Sequence, residues 1–223
     1  MRRLMGGNNG AMAGGASGGG NGDARSDKGE RRDDGLTRPY AAPPNDGVPL
    51  EVADGLWWVR LPLPFRLNHV NIWLIEEDDG FAAIDCGPDT PAVRAVWEEL
   101  AEGALKGRAL TRLIATHGHV DHVGLSGWVC ERFGGIPYHA SLAAWLWARH
   151  SYLNTKHPRS PAYATFLTQH GVPREKIDAF LADKPVATLY GPQPDQFVRL
   201  GDNGSIGIGA RRWRIGPAVD GSE

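Results

Sequence analysis

Cysteine is nearly missing from these 223 residues: Cys86 and Cys130 are the two present. That is too few for a disulfide framework, and their spacing is not CxxC. Long apolar runs are missing too, and none approaches the ~18 residues that a membrane span needs. Charge of one sign is not in excess, since 24 Lys and Arg face 26 Asp and Glu and leave a formal charge of −2. No cationic field exists to hold a phosphate backbone, which argues against nucleic acid as a partner. The opening Met1-Arg2-Arg3-Leu4-Met5 is basic like a signal peptide, but glycine-rich sequence to Gly22 stands where an apolar stretch would follow. The expectation is a soluble, cytoplasmic protein with no membrane partner.

Residues 1–47 contain no Val, Ile, Phe or Trp, and nine of the first 22 are glycine. Such a segment buries too little apolar surface to offset its ordering entropy, so a disordered leader is expected. The folded part should run over 48–215, with an irregular tail at 216–223.

Within it, 56–61, 70–76 and 81–85 are β-branched or aromatic runs separated by Pro62, Pro64 and the turn Asp78-Asp79-Gly80, and they read as strands. Thr90-Pro91 is a helix start; Val93, Val96, Trp97, Leu100 and Leu105 fall on roughly one face, and Gly107 ends the run. A strand over 110–116, a helix over 123–133 and a short strand over 136–140 follow. Residues 141–184 change to helix throughout, with starts at Ser141, Ser160-Pro161 and Pro173. Strands return at 197–200, 206–208 and 211–215. This order predicts an α/β (α+β) fold with helices packed on a sheet.

One cluster stands apart: Thr116-His117-Gly118-His119-Val120-Asp121-His122-Val123-Gly124. It directly follows a predicted strand. His117 and His119, two apart on extended backbone, point the same way and can share one metal ion. Asp121 and His122, at the turn into the next helix, face a neighbouring position. Imidazole with carboxylate suits Zn²⁺ and similar first-row ions better than Mg²⁺ or Ca²⁺. The competing structural reading makes Asp121 the N-cap of the following helix.

The stretch resembles the HxHxDH signature of the metallo-β-lactamase-fold hydrolases, and Ala83-Ile84-Asp85-Cys86-Gly87 resembles that family's earlier hydrophobic-Asp-x-Gly strand end. The resemblance covers about 48–215 and implies an αββα sandwich, of which the N-terminal half is complete here. It implies that His117 and His119 hold one zinc and that Asp121 and His122 serve a second. Asp121 would also orient the attacking water, as the catalytic carboxylate, and Asp85 would support the metals from behind. The implied reaction is hydrolysis of a small-molecule substrate, with metal-activated water attacking an ester, thioester or related acyl bond. Asn68-His69-Val70-Asn71 is similar to the glyoxalase II-like thioester and ester hydrolases of this fold.

The family pattern asks for three more ligands downstream: a His, a bridging Asp and a final His. After His122 come only His139, His150, His157 and His170, none of them in a strand-Gly-His setting, and the chain runs from Gly216 to Glu223 without another. The expectation is a C-terminally truncated chain, with the second half of the sandwich largely missing. The alternative function is then a non-catalytic fragment that binds metal weakly or not at all. The helices of 141–184 either cap the site or serve packing alone.

Overall fold

The computed structural model describes residues 25–31, 37–40, 42–154, 161–182, 186–201 and 203–216. The chain divides into two compact units, Met1–Pro43 and Pro44–Glu223. In the first, strands β1 (Arg25–Arg31) and β2 (Thr37–Tyr40) pair antiparallel. Both fall in the segment read from composition as a disordered leader. Strand pairing satisfies backbone groups without requiring an apolar core, so composition does not exclude it. Residues 1–24, 32–36, 41 and 217–223, most of the predicted leader and of the predicted tail, lie outside the described residues.

The second unit starts four residues before the expected position, because Gly47 N–H donates to Arg60 O at 2.8 Å and Asp46 bridges to Arg60. Its sheet contains β3 (Leu50–Ala53), β4 (Leu56–Pro62), β5 (His69–Glu77), β6 (Gly80–Ile84), β7 (Ala109–Ile114), β8 (Tyr138–Ala140) and β9 (Val198–Arg199), in that spatial order. Strands β3 to β6 are an antiparallel meander; β6 to β9 run parallel. The parallel half is joined by helices: α1 (Pro91–Glu102), then α2 (Val120–Val123) with α3 (Ser126–Arg132), then α4 (Leu142–Leu153), α5 (Pro161–Gln169) and α6 (Arg174–Ala182). Strands β10 (Ser205–Ile208) and β11 (Arg211–Arg214) form a separate antiparallel pair. Mixed α/β architecture is what the sequence predicted.

Period-two alternation sorts the sheet into two faces. Ile72 and Leu74 of β5 point into the main core with Phe81, Ala83 and Leu113, beneath Val93, Trp97 and Leu100 of α1. Ile75, Ala82 and Ile114 point the other way and meet Ile208 of β10. A bulge between β6 and β7, where Phe81 pairs with Leu110 but Ala82 pairs with Arg112, leaves Thr111 over. It lets Leu110 and Leu113, three apart, share one face.

Helix α1 starts as predicted, Thr90 Oγ1 accepting from Val93 N–H at 3.2 Å with Pro91 at the first helical position. It stops at Gly103 rather than Gly107, because Leu105 turns back, donating its N–H to Leu100 O, and enters the core. The single helix expected over 123–133 is two pieces. Leu125 N–H leaves the helical ladder to donate to Gly87 O at 2.9 Å, breaking the run between α2 and α3.

Candidate functional site

Parallel pairing brings the C-terminal ends of β6 and β7 to one edge of the sheet, where their loops meet. Asp85, the residue after β6, adopts φ of 63°, a left-handed conformation that costs a non-glycine residue about 1 kcal/mol. Three hydrogen bonds offset it. Asp85 Oδ1 accepts from Thr116 N–H at 2.8 Å, and Oδ2 accepts from Thr116 Oγ1 and from His122 Nδ1, each at 2.8 Å. The carboxylate is buried, at 3% exposure. It ties the β6 end to the β7 loop and to α2 at once. Cys86 N–H adds a second tie, donating to His122 O at 2.8 Å.

The four residues of the cluster gather around this anchor. Val120 starts α2, His119 is its N-cap residue, and Asp121 lies in its first turn. The capping role considered for Asp121 is therefore not the one it has. His117 Nε2 and His119 Nδ1 stand 3.1 Å apart. Asp121 Oδ2 and His122 Nε2 stand 3.4 Å apart. The His117 ring centroid lies 4.6 Å from that of His119 and 4.1 Å from that of His122. Two donors bonded at ~2.0–2.1 Å to one tetrahedral ion lie about 3.3 Å from each other. Each pair thus has the separation of two ligands on a shared ion. Among the described residues, however, no group of three or more His, Cys, Asp or Glu is arranged to hold a metal. The donors fit a divalent cation as pairs, and a closed three-ligand set is not assembled from them.

Electrostatics separates the imidazoles. Burial opposes a charge on His122, but hydrogen bonds to Asp121 and Asp85 outweigh it and lift its pKa to about 9. Burial, with the neighbouring His122 and His119, pushes His117 down. Hydrogen bonding to His122 lowers Asp121 despite its partial burial. Carboxylates that favour a proton on His122 equally favour a cation at Nε2, so proton and metal compete there.

A cavity of about 1030 Å³ is lined by Thr116, His117 and His119 of the cluster together with apolar side chains that include Ile84, Ile114 and Ile208. Helix α4 supplies one wall through Trp147. Trp145, two residues away, turns inward, stacking on Phe197 and donating to Pro194 O. The other histidines lie apart. His69 contacts Asn68, while His150 and His170 bond within their own segments. His139 lines a different cavity with Glu77 and Arg112, its Nδ1 without a partner. His157 lies outside the described residues. Cys86 and Cys130 are free and buried, as small hydrophobes would be.

Sequence reasoning missed Thr116 as the partner of Asp85, and it missed Tyr190, whose hydroxyl donates to Gly118 O at 2.7 Å. A partner 72 positions away leaves no local signal.

Residues 66–208 match the family described as the metallo-beta-lactamase superfamily. A probable metallo-hydrolase of Bacillus subtilis (strain 168), YqjP, is 38% identical over 68 residues, which cover 30% of this chain and 21% of that protein. A crystal structure of a beta-lactamase domain protein from Burkholderia ambifaria is 30% identical, with a TM-score of 0.66 over 78% of this chain and 48% of that one. A metallo-beta-lactamase family protein from Thermus thermophilus is 27% identical, with a TM-score of 0.50 over 72% of this chain and 50% of that one. The chain thus spans about half the length of these solved relatives.

Proposed function

The chain belongs to the metallo-β-lactamase superfamily, whose profile it matches over more than half its length, and we propose that it is a zinc-dependent hydrolase of an ester, thioester or related acyl bond. His117 Nε2 and His119 Nδ1 would hold one ion; Asp121 and His122 Nε2 would hold a second. When bound, a divalent ion supplies Lewis acidity, polarising a carbonyl oxygen and making water acidic enough to attack near neutral pH.

This chain's own residues do the rest. Asp85 accepts the Nδ1 proton of His122, which fixes the ring and leaves Nε2 as the nitrogen where a cation would replace the proton. Thr116, bonded to both oxygens of Asp85, holds that carboxylate in place. Burial, with the neighbouring His122 and His119, lowers the His117 pKa and so favours the neutral ring, the form that ligates a metal. Asp121, ionised and beside the donors, accepts the proton released by the attacking water. The apolar body of the cavity receives the acyl group, with its carbonyl toward the histidines.

The observation that carries this reading is the 3.1 Å between His117 Nε2 and His119 Nδ1. Metal content, together with hydrolysis of an alkyl thioester, an aryl ester and a phosphodiester, tests it on this chain and on its His117→Ala/His119→Ala variant. Zinc and acyl turnover in the chain, both lost in the variant, are expected. A chain with neither zinc nor turnover would be the non-catalytic alternative.

A further inference from the structure

The His117–His119 spacing depends on the residue between them, and that residue is gripped from two sides. Gly118 O accepts from Tyr190 Oη at 2.7 Å, a bond buried from solvent. On the other side Gly118 lies against α4: a Cβ there would meet Ala144 O at 2.9 Å and Trp147 Cβ at 3.0 Å. Trp147 Cδ1 would also lie 3.1 Å from the added Cβ, so α4 leaves no room beside Gly118. Tyr190 itself is only 8% exposed. Its segment is bound down along its length. Leu189 O accepts from Asp89 N–H at 2.8 Å, Gly191 N–H donates to Gly124 O at 2.8 Å, and Gln193 Nε2 donates to Val123 O at 3.2 Å. Where the strap crosses α3, Pro192 O would sit 2.1 Å from a Cβ on Gly127. The segment after the helical insertion therefore lies across the elements that carry the histidines.

We propose that Tyr190 is a positioning residue: its hydroxyl, bonded to the carbonyl of a Gly118 that lies against helix α4, sets the separation of the His117 and His119 donor atoms. This rests on the reading of those two histidines as a ligand pair. A free Gly118 carbonyl would let the peptide between them rotate, and rotation there swings both rings. The insertion then has a purpose beyond packing, because α4 both walls the cavity and lies against Gly118, the residue that the tyrosine holds.

Tyr190→Phe keeps the ring and removes the hydroxyl. Two measurements on the full chain decide the matter, with Leu100→Ala, a core change in α1, as a control for lost stability. In the metal-free protein, hydrogen exchange of the 116–122 segment should quicken about fivefold to tenfold in Tyr190→Phe, the effect of one lost hydrogen bond, with β4 and β5 unchanged. Affinity for Co²⁺ should fall about tenfold or more, with a changed visible spectrum, as for loss of a group that orients a ligand. Trp147→Phe should act in the same direction and less. Exchange in 116–122 equal to the parent, or raised across the whole chain as in Leu100→Ala, would overturn the assignment. If the parent itself takes up no metal, the zinc reading fails, while the exchange result still decides the role of Tyr190.

Discussion

Asp85 Oδ2 lies 2.8 Å from His122 Nδ1, and the residue that delivers it sits at φ of 63°. A strained backbone is held where its carboxylate can bind three donors. The local cost of about 1 kcal/mol is smaller than what charge-assisted bonds in a buried setting contribute, about 1.5–3 kcal/mol each.

Asp85→Asn separates charge from conformation, because asparagine also tolerates a positive φ. The amide keeps the shape but loses the charge and half the acceptor capacity. Metal affinity should fall about 10–100-fold, and urea unfolding should show a loss of about 1–3 kcal/mol. Asp85→Ala should cost more on both readouts, since it also strains a β-carbon residue with no compensating bond.

Close approach at Gly127 is testable by a single methyl. Gly127→Ala forces its Cβ against Pro192 O, where only 2.1 Å is free, and backbone cannot move aside as a side-chain tip does. A destabilisation of about 1–3 kcal/mol is expected, measured by thermal or urea unfolding. Gly118→Ala, which meets atoms near 3 Å, should cost less.

Acid should weaken the fold through Glu77. Burial raises its pKa, but Arg112 and Thr111, both hydrogen-bonded to it, outweigh burial and leave it below the ordinary 4.5. A folded-state value below the unfolded one means that the ionised form stabilises the fold. That contribution is complete above 4.5 and is lost as pH falls through the lower, folded-state value. Glu77→Gln should lower stability at neutral pH and flatten this acid limb, compared with the parent by urea unfolding across the acid range.

Thr90→Ala removes the oxygen that accepts from Val93 N–H. The cost should be about 1 kcal/mol, read as a lower melting temperature. Thr90→Ser keeps the oxygen and should recover most of it.

Much of this protein was legible from local pattern. The β-branched and aromatic run over 70–76 announced β5, and the Thr90-Pro91 start with its apolar stripe announced α1, because both signals lie within a few residues. The HxHxDH run was visible for the same reason: its donors lie within one turn of chain. Element ends were less legible. The break at Leu125 comes from Gly87, and the early stop of α1 comes from Leu105 folding into the core.

By itself, then, the order of side chains determined the α/β class, the starts of α1 and α4 and which residues offer donor atoms, all properties of segments a dozen residues long. Only the folded chain decided which of those donors stand 3.1 and 3.4 Å apart, that Asp85 and Thr116 hold them, and that Tyr190 reaches Gly118. The Asp85–Thr116 and Tyr190–Gly118 bonds join residues 31 and 72 positions apart. Closing such distances takes the parallel pairing of β6 with β7 and the packing of the insertion, which no local pattern encodes.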